Sequence, residues 1–426
     1  MVGNRPSSGP VDAGRKRVVL VTQPYFPDLQ STSHLLTELL GAMGKEPVDF
    51  TVLCGWPVLL PEGYSEAIPG SEARDNVRIV RCGLRLDYKR GLFQRLLYMA
   101  AFVLSASWRL LRVRRDERVC AVTNPPFSPV WIHAFSRLRG FRYQIICHDV
   151  FPEGLVAVGK ISETGPIAEL WHFANRRALR GAESVVVLGR DMGELLNLRY
   201  GVPESRLHVI PHWSVSDGGG TFAPEKTALW RSLGLPDEAF VVQYSGNMGL
   251  WHDLETLVRA AAVLKDDPRI RFLFIGGGMR KEAALALARE LGVDNITWLP
   301  FQPEETLTDS LASCHLALIS QRAGLEGIAV PCKLYGILAS GRGILAMVPQ
   351  DCEVARVVEE EECGVRLDPD DVTGLAGEIR RLSASPGEVS AMGARSYGAF
   401  DRKYRLGAAA QAYRRLWMES GGSVGE

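Results

Sequence analysis

The sequence predicts an α/β protein with two domains, each built on a mainly parallel sheet. The first observation is the length, because 426 residues suffice for two domains of ordinary size. The second is a set of continuous apolar runs, such as Arg17–Thr22 and Phe240–Tyr244, which are typical of parallel strands buried on both faces. The third is that polar or Gly-rich turns and apolar-periodic helices follow these runs, as in βαβ units.

The composition indicates an ordinary globular protein and limits the kinds of partner that it can bind. Hydrophobic residues make up 46% and charged residues 23%, as in ordinary globular proteins. Because 49 basic residues balance 49 acidic ones, bulk electrostatics indicate no nucleic-acid partner. The eight cysteines are scattered without a C-x-x-C pair, which predicts buried free thiols in a reducing compartment. The polar start of the chain shows no signal peptide, so we expect a cytoplasmic protein.

The predicted domain boundaries follow the apolar runs. Residues 1–16 are expected to be a disordered tail, and residues 17–210 the first domain. Residues 211–235 are expected to be a linker that includes a Gly-rich segment. Residues 236–398 form the second domain, and 399–420 a C-terminal helix. Further strands are predicted at Phe50–Leu53, Val119–Thr123, Tyr143–Cys147, Val185–Leu188, Val209–Ile210, Arg271–Ile275, Thr297–Phe301, Cys314–Ile319 and Ile344–Val348.

The stretch from Ala323 to Ala346 carries the strongest functional signal. Glu326 lies in a Gly-rich turn after a predicted strand, and Pro331 fixes the start of a short helix that we expect to end at Gly341. Such a strand–turn–helix unit places unpaired N–H groups at the carboxyl edge of a sheet, where they favour a phosphate. An ordinary βαβ crossover with an exposed Glu is the alternative.

In this stretch, E-G-I-A-V-P followed by I-L-A-S-G resembles the donor-sugar motif of retaining, nucleotide-sugar-dependent glycosyltransferases. V-P-C-K-x-Y is similar to the loop of family 4-like enzymes that extend capsule, O-antigen or exopolysaccharide repeat units. The resemblance implies the GT-B fold, with two Rossmann-like domains facing across a cleft and the C-terminal helix crossing back to the N-terminal domain. One departure is that the family's second Glu falls on Leu334 by spacing and on Gly336 by alignment.

The resemblance also implies roles for three residues. Glu326 would hydrogen-bond the hydroxyls of the donor sugar. His148, in H-D-V-F-P-E-G after a predicted strand, matches a family His that points toward that sugar. Lys333 would lie in the first helical turn, where the helix dipole disfavours a cation unless an anion is near, so it is assigned to catalysis and to the donor diphosphate. A solvated Lys and a solvated His are the alternatives.

The turn after Phe240–Tyr244 departs further from the family. An Arg and a Lys that hold the diphosphate in related sequences are replaced here by Asn247 and His252. Asn can donate an amide N–H, and His can carry a positive charge. Backbone N–H groups of Gly246 and Gly277 are expected to complete the donor site.

Residues 89–115 form the other informative stretch. Thirteen uncharged residues lie between Arg95 and Arg109, and five more basic residues flank them: Lys89, Arg90, Arg112, Arg114 and Arg115. A helix of this length covers roughly 20 Å, less than the ~30 Å hydrocarbon core, so we do not expect it to span a membrane. Basic flanks around apolar residues favour a helix in the membrane interface. A buried core helix is the alternative.

The predicted function is transfer of a sugar from a nucleotide diphosphate, expected to be UDP, to a lipid-linked saccharide at the inner membrane face, with retention. We expect no metal or other cofactor, because no D-x-D pair follows a predicted strand. The replaced Arg/Lys pair and the missing second Glu also fit a weakly active or non-catalytic homologue that regulates a membrane glycosyltransferase. A third possibility, a nucleotide-sugar 2-epimerase, gives residues 89–115 no role.

Overall fold

The computed structural model describes residues 15–60, 64, 66–86, 91–214 and 223–419. It confirms the predicted α/β fold with largely parallel sheets. The strands are β1 (Lys16–Val21), β2 (Val48–Cys54), β3 (Ser71–Arg74), β4 (Val77–Arg81), β5 (Arg118–Val122), β6 (Arg142–Cys147), β7 (Ser184–Val187), β8 (Leu207–Val209), β9 (Phe240–Ser245), β10 (Ile270–Ile275), β11 (Ile296–Leu299), β12 (Leu316–Ser320), β13 (Gly343–Met347) and β14 (Gly364–Leu367).

Helices alternate with these strands along most of the chain. They are α1 (Ser31–Ala42), α2 (Leu92–Leu110), α3 (Ser128–Arg139), α4 (Glu153–Ala157), α5 (Pro166–Gly181), α6 (Arg190–Tyr200), α7 (Ala228–Ser232), α8 (Leu254–Val263), α9 (Lys281–Glu290), α10 (Leu307–Ala312), α11 (Lys333–Ala339), α12 (Glu353–Glu360), α13 (Val372–Ser383), α14 (Pro386–Lys403) and α15 (Leu406–Glu419).

The first eight strands form one sheet with the order β3-β4-β2-β1-β5-β6-β7-β8. The pairs β1–β2, β1–β5, β2–β4, β5–β6 and β7–β8 are parallel, whereas β3 and β4 form an antiparallel hairpin. No apolar run marks this hairpin at Ser71–Arg74, which is short and polar, so it was not among the predicted strands. The strands at the centre of the sheet are buried, which explains their continuous apolar sequences.

The last six strands form a second, entirely parallel sheet with the order β11-β10-β9-β12-β13-β14. Its core contains the inward side chains of β9, β10, β12 and β13 together with apolar faces of α8 and α13. Asp253 caps α8 by accepting a hydrogen bond from the Thr256 N–H at 3.2 Å, and Asp371 caps α13 in the same way. This is the second Rossmann-like domain that the sequence predicted.

Within the described residues, the chain divides into two compact units. The first takes residues up to 146, 181–184 and those from 410 onward, and the second takes 147–180 and 185–409. A C-terminal helix at residues 399–420 was predicted to return to the N-terminal domain, and the return is confirmed for α15, whereas residues 399–403 form the end of α14. In α15 the Trp417 ring packs edge-on against Phe50 at 5.3 Å, and the Trp417 carbonyl accepts a hydrogen bond from Arg118 at 2.9 Å.

Several predicted boundaries stay predictions. Most of the tail at 1–16 lies outside the described residues, although β1 already begins at Lys16. The linker at 211–235 lies partly outside them, and its described part contains α7. The predicted domain boundary near residue 210 does not coincide with the division into compact units.

All eight cysteines are free thiols, as the sequence indicated. Seven of them are buried, and burial raises the pKa of Cys363 to about 11. Cys332 is exposed, directly before Lys333.

Candidate active site

The second sheet contains a topological switch point between β9 and β12. From β9 the chain adds β10 and β11 on one side, and it then returns to add β12, β13 and β14 on the other. In open parallel sheets, ligands bind at the carboxyl edge where the strand order reverses in this way. The loops that follow β9 and β12 carry most of the predicted site residues, so topology and sequence point to the same place.

The loops after β9 and β10 interlock closely. The Gly246 N–H donates to the Ile275 carbonyl at 2.9 Å, and the Met248 N–H donates to the Gly277 carbonyl at 2.7 Å. A Cβ on Gly276, whose φ is +127°, would lie 2.1 Å from the Gly246 carbonyl oxygen. The contact therefore requires glycine. It also corrects the prediction for Gly246, because that N–H is already bonded within the sheet and is not available to a phosphate.

Lys333 reaches the switch point from the first residue of α11. Its ammonium lies 3.8 Å from the centroid of the Tyr244 ring, and 3.7 Å from where a Cβ on Gly246 would be. The ammonium is buried and has no hydrogen-bond acceptor in the described part of the chain. Burial lowers the pKa of Lys333 to about 7. A buried cation without a counter-ion is costly, so this position favours an anionic ligand.

His252 lies beside this lysine but does not supply a second charge. Its Nδ1 contacts the Ser320 carbonyl at 2.7 Å and must be the protonated nitrogen, because a carbonyl only accepts. Burial and the nearby Lys333 lower the pKa of His252 to about 3. The ring is therefore neutral at neutral pH, which corrects the expectation of a cationic histidine. The backbone carbonyl of the exposed Asn247 accepts a hydrogen bond from the Tyr244 hydroxyl at 2.8 Å, and the Asn247 side chain lies beside Gly249 and Gly278.

The turn that carries Glu326 is held by a residue that the sequence analysis missed. One carboxylate oxygen of Asp191 accepts the Gly327 N–H and the Glu353 N–H, each at 3.0 Å. Gly327 has a φ of +67°, and a Cβ there would lie 2.6 Å from the Asp191 carbonyl oxygen. Asp191 thereby joins the starts of α6 and α12 to the turn that carries the half-buried Glu326.

The structure brings His148 to the same turn. The Val150 N–H donates to the Ile328 carbonyl at 2.9 Å, and Asp149 forms an antiparallel bridge with Ala329. The segment H-D-V therefore runs alongside I-A-V of the motif. The His148 ring packs edge-on against His212 at 4.8 Å, and burial lowers the pKa of His148 to about 4, so it is neutral at neutral pH.

Two further residues of this neighbourhood were not identified from the sequence. Burial raises the pKa of Asp149 to about 6. Its position directly after His148 at a strand end was the signal that could have identified it. The Tyr335 hydroxyl hydrogen-bonds the His212 backbone, and its ring packs against Tyr404 at 5.3 Å. Tyr335 thus links α11 to the segment that supports His148.

The two candidates for the family's second Glu lie on α11. Leu334 is fully buried in the core, and a Cβ on Gly336 would lie 3.2 Å from the Leu311 side chain. Neither position provides a carboxylate. Among the described residues there is no group of three or more His, Cys, Asp or Glu side chains that could hold a metal ion.

The predicted interfacial stretch contains α2, and Lys89 and Arg90 lie outside the described residues. One side of α2 packs inward through Tyr98, Phe102, Ala106 and Leu110. The other side exposes large apolar side chains at helical spacing: Phe93, Leu96, Leu97, Leu104, Trp108 and Leu111. We call these six residues the α2 apolar stripe. No helix in the described ranges is both long and apolar enough to cross a membrane.

Two Rossmann-like domains with largely parallel sheets are the architecture of GT-B proteins. Residues 32–213 match the family model of the glycosyl transferase 4-like domain, and residues 225–398 match that of glycosyl transferases group 1. Together these matches extend through most of the chain. The protein belongs to the GT-B glycosyltransferases and is a transferase.

Two proteins that resemble this chain in sequence are also named as glycosyltransferases. The chain is 26% identical over 366 residues to a probable glycosyltransferase, WbjE, of Pseudomonas aeruginosa, covering 86% of this chain and 89% of WbjE. It is 26% identical over 374 residues to a putative colanic acid biosynthesis glycosyl transferase, WcaI, of Escherichia coli K12, covering 85% and 91%. The structure of Anabaena HepE with UDP and glucose has a TM-score of 0.68 at 13% identity, covering 95% of this chain and 100% of that chain, so the two share a fold.

Proposed function

We propose that the enzyme transfers a sugar from a UDP-sugar to a lipid-linked saccharide during polysaccharide biosynthesis, with retention at the anomeric carbon. The observation that carries the proposal is the buried Lys333 ammonium at the switch point of the second sheet, which has no hydrogen-bond acceptor among the described residues. The UDP bound in the HepE structure supports a UDP-sugar as the donor. The name of WcaI, which mentions colanic acid biosynthesis, supports a role in polysaccharide biosynthesis.

Lys333 would bind the donor diphosphate. A diphosphate supplies the acceptor oxygens that its ammonium lacks, and the contact strengthens as negative charge develops on the leaving group. Asn247, at the exposed tip of the adjacent turn, would donate its amide to the same group. The Gly277 N–H, in the second glycine turn, is a further candidate donor. His252 would act as a neutral ring beside the diphosphate.

The sugar would lie between the Glu326 turn and the His148 segment. Glu326 would accept hydrogen bonds from the sugar hydroxyls, and the Asp191 contacts would keep its turn fixed during transfer. Since His148 is neutral at neutral pH, we assign it to orienting the reacting groups and not to electrostatic stabilisation as a cation. Lys333 then provides the positive potential, and the reaction needs no divalent metal.

The acceptor would be reached from the cytoplasmic face of the membrane. The α2 apolar stripe and the flanking Arg109, Arg112, Arg114 and Arg115 form a surface with both apolar and basic character. Such a helix binds an anionic membrane interface, where each basic residue contributes about 1 kcal/mol. A peripheral location would give the enzyme access to a saccharide anchored by its lipid.

The direct test is transfer of radiolabelled sugar from a panel of UDP-sugars to lipid-extracted acceptors. We expect label in the lipid fraction with at least one donor, full activity in EDTA, and loss of activity in Glu326→Gln. Retention is read from the anomeric configuration of the product. No transfer with any donor, or loss in EDTA that Mn²⁺ restores, would contradict the proposal.

Membrane association is tested separately. Wild-type protein should pellet with anionic vesicles, whereas a variant with Leu104 and Trp108 both changed to Ser should remain in the supernatant. Replacement of Leu138, an exposed apolar residue of α3, by Ser serves as the matched control. Equal pelleting of all three proteins would exclude α2 as the contact surface.

A further inference from the structure

A cavity of about 630 Å³ lies between the C-terminal half of α2 and the face of the first sheet. Its size is within the range of small-molecule sites. Val19, Leu53 and Val80 form an apolar floor on adjacent strands, and Arg78, Arg109 and Arg112 line its sides, with Thr51, Ser105, Trp108, Val113 and Glu117. Neither the donor site nor the transfer reaction uses this cavity.

The cavity lies on the face of the first sheet and not at one edge of it. Glu117 immediately precedes β5, whereas Leu53 and Val80 lie near the carboxyl ends of β2 and β4, so the cavity extends along the strands. Its lining residues all belong to the first compact unit, whereas the donor site is built from residues of the second. The cavity is therefore a separate site with an occupant of its own.

The charges around the cavity favour an anion. None of Arg78, Arg109 and Arg112 forms an ion pair with a carboxylate in the described part of the chain. The Arg112 guanidinium stacks on the Trp108 ring at 4.2 Å and bonds the Trp108 carbonyl at 2.8 Å, which fixes its orientation. Glu117, the one carboxylate in the lining, accepts the Arg114 N–H at 2.8 Å and lies 4.0 Å from Arg17. Among the described residues these three guanidinium groups therefore have no carboxylate partner, and Arg109 hydrogen-bonds only the neutral Cys82 thiol.

The apolar surroundings favour a lipid over a free anion. The apolar floor can accommodate a hydrocarbon chain but not an inorganic phosphate. Trp108 lines the cavity and also belongs to the α2 apolar stripe, with 62% of the residue exposed. The cavity therefore adjoins the surface that we assign to the membrane.

We propose that this cavity binds one anionic phospholipid of the bilayer, with its phosphate among Arg78, Arg109 and Arg112 and part of an acyl chain over the apolar floor. The inference rests on the proposed membrane association through α2. A bound lipid of this kind would fix the orientation of the first compact unit at the interface, because it would contact β4 through Arg78 as well as α2.

The test uses dihexanoyl phosphatidylglycerol below its micelle concentration, so that binding is measured without a bilayer and without sugar transfer. Calorimetric titration should show one saturable site in the wild type. Arg78→Gln should weaken binding by about tenfold or more, as expected for loss of a charge-assisted contact. Arg139→Gln removes a charge from an exposed residue of α3 that neither lines the cavity nor belongs to the α2 surface, so its binding should be unchanged.

A second variant tests the cavity without changing its charge. Thr51→Phe introduces an aromatic side chain, which strands accept well, into the floor of the cavity. Binding should be lost while the melting temperature stays near that of the wild type. Wild-type affinity in either Arg78→Gln or folded Thr51→Phe would overturn the proposal.

Two further ligands distinguish the source of the anion and the role of its charge. Glycerol 3-phosphate should bind much more weakly than the lipid. Equal binding of the two would show that the cavity recognises a phosphate group alone, and it would overturn the lipid proposal. Dihexanoyl phosphatidylcholine should also bind more weakly, because it carries no net charge. Sugar transfer measured on the same preparations keeps the two proposals apart, since lipid binding without transfer rejects only the proposed reaction.

Discussion

Replacing Lys333 with methionine should weaken UDP binding and stabilise the fold at the same time. The lysine ammonium is buried over the Tyr244 ring without an acceptor, which is unfavourable in the free enzyme. Methionine has a similar length and no charge, so the penalty disappears. Opposite effects on binding and on stability are what a binding residue should show, whereas loss of a structural residue would reduce both.

The size of the effect on binding follows from the charge and from its pKa. A charge-assisted hydrogen bond contributes about 1.5–3 kcal/mol, or roughly 10- to 150-fold in affinity. Because the pKa of Lys333 is about 7 in the free protein, only a small fraction is protonated at pH 9. If the diphosphate binds only the protonated form, the affinity should fall by roughly fifty-fold between pH 7 and pH 9.

The assay is calorimetric titration with UDP from pH 6 to pH 9, in two buffers with different ionisation enthalpies. Wild-type protein should take up about half a proton on binding at pH 7 and more at pH 8. Lys333→Met should lose both the proton uptake and the steep dependence on pH. The exposed Lys265, changed to Met, is the matched control and should behave like the wild type. Tight, pH-independent binding by Lys333→Met would refute the reasoning.

Three further predictions concern the same sheet edge. Between pH 7 and pH 10 the unfolded chain holds a proton on Lys333 that the folded chain has released. The free energy of unfolding of the wild type should therefore rise with pH toward that of Lys333→Met. A constant difference between the two proteins in thermal melts would contradict this. Gly327→Ala should lower stability by about 3 kcal/mol and reduce transfer, whereas Gly324→Ala, also at positive φ but with open space around it, should lose only about 1 kcal/mol in denaturant titrations. Glu326→Gln should keep UDP affinity within about twofold but reduce the transfer rate at least tenfold, as single-turnover kinetics can establish.

Periodicity and composition predicted the fold well because the strands are short, apolar and buried. The predicted start of β9 at Phe240 and the predicted end of β10 at Ile275 coincide with the observed ones. The edge strand β3 was not predicted because its sequence is polar. It forms a strand through backbone pairing with β4 and not through apolar side chains.

The site was predicted less completely, for a physical reason. Motifs indicated that Glu326, Lys333 and His148 belong together, and the structure brings the Glu326 turn and the His148 segment into contact. The sequence could not indicate that the Gly246 N–H is already bonded or that His252 is buried and neutral. Hydrogen bonds and pKa values of this kind depend on residues distant along the chain, as Asp191 also illustrates.

The exposure of Cys332 has a practical consequence. The other seven thiols are buried, so a maleimide dye should react at Cys332 without removal of any native cysteine, although slowly, because burial around the sulfur raises the pKa of the Cys332 thiol. That position adjoins Lys333, whose ammonium is expected to move from the Tyr244 ring toward an incoming diphosphate. A fluorophore there would report donor occupancy in real time, and it would allow nucleotide exchange to be followed in the unmodified sequence.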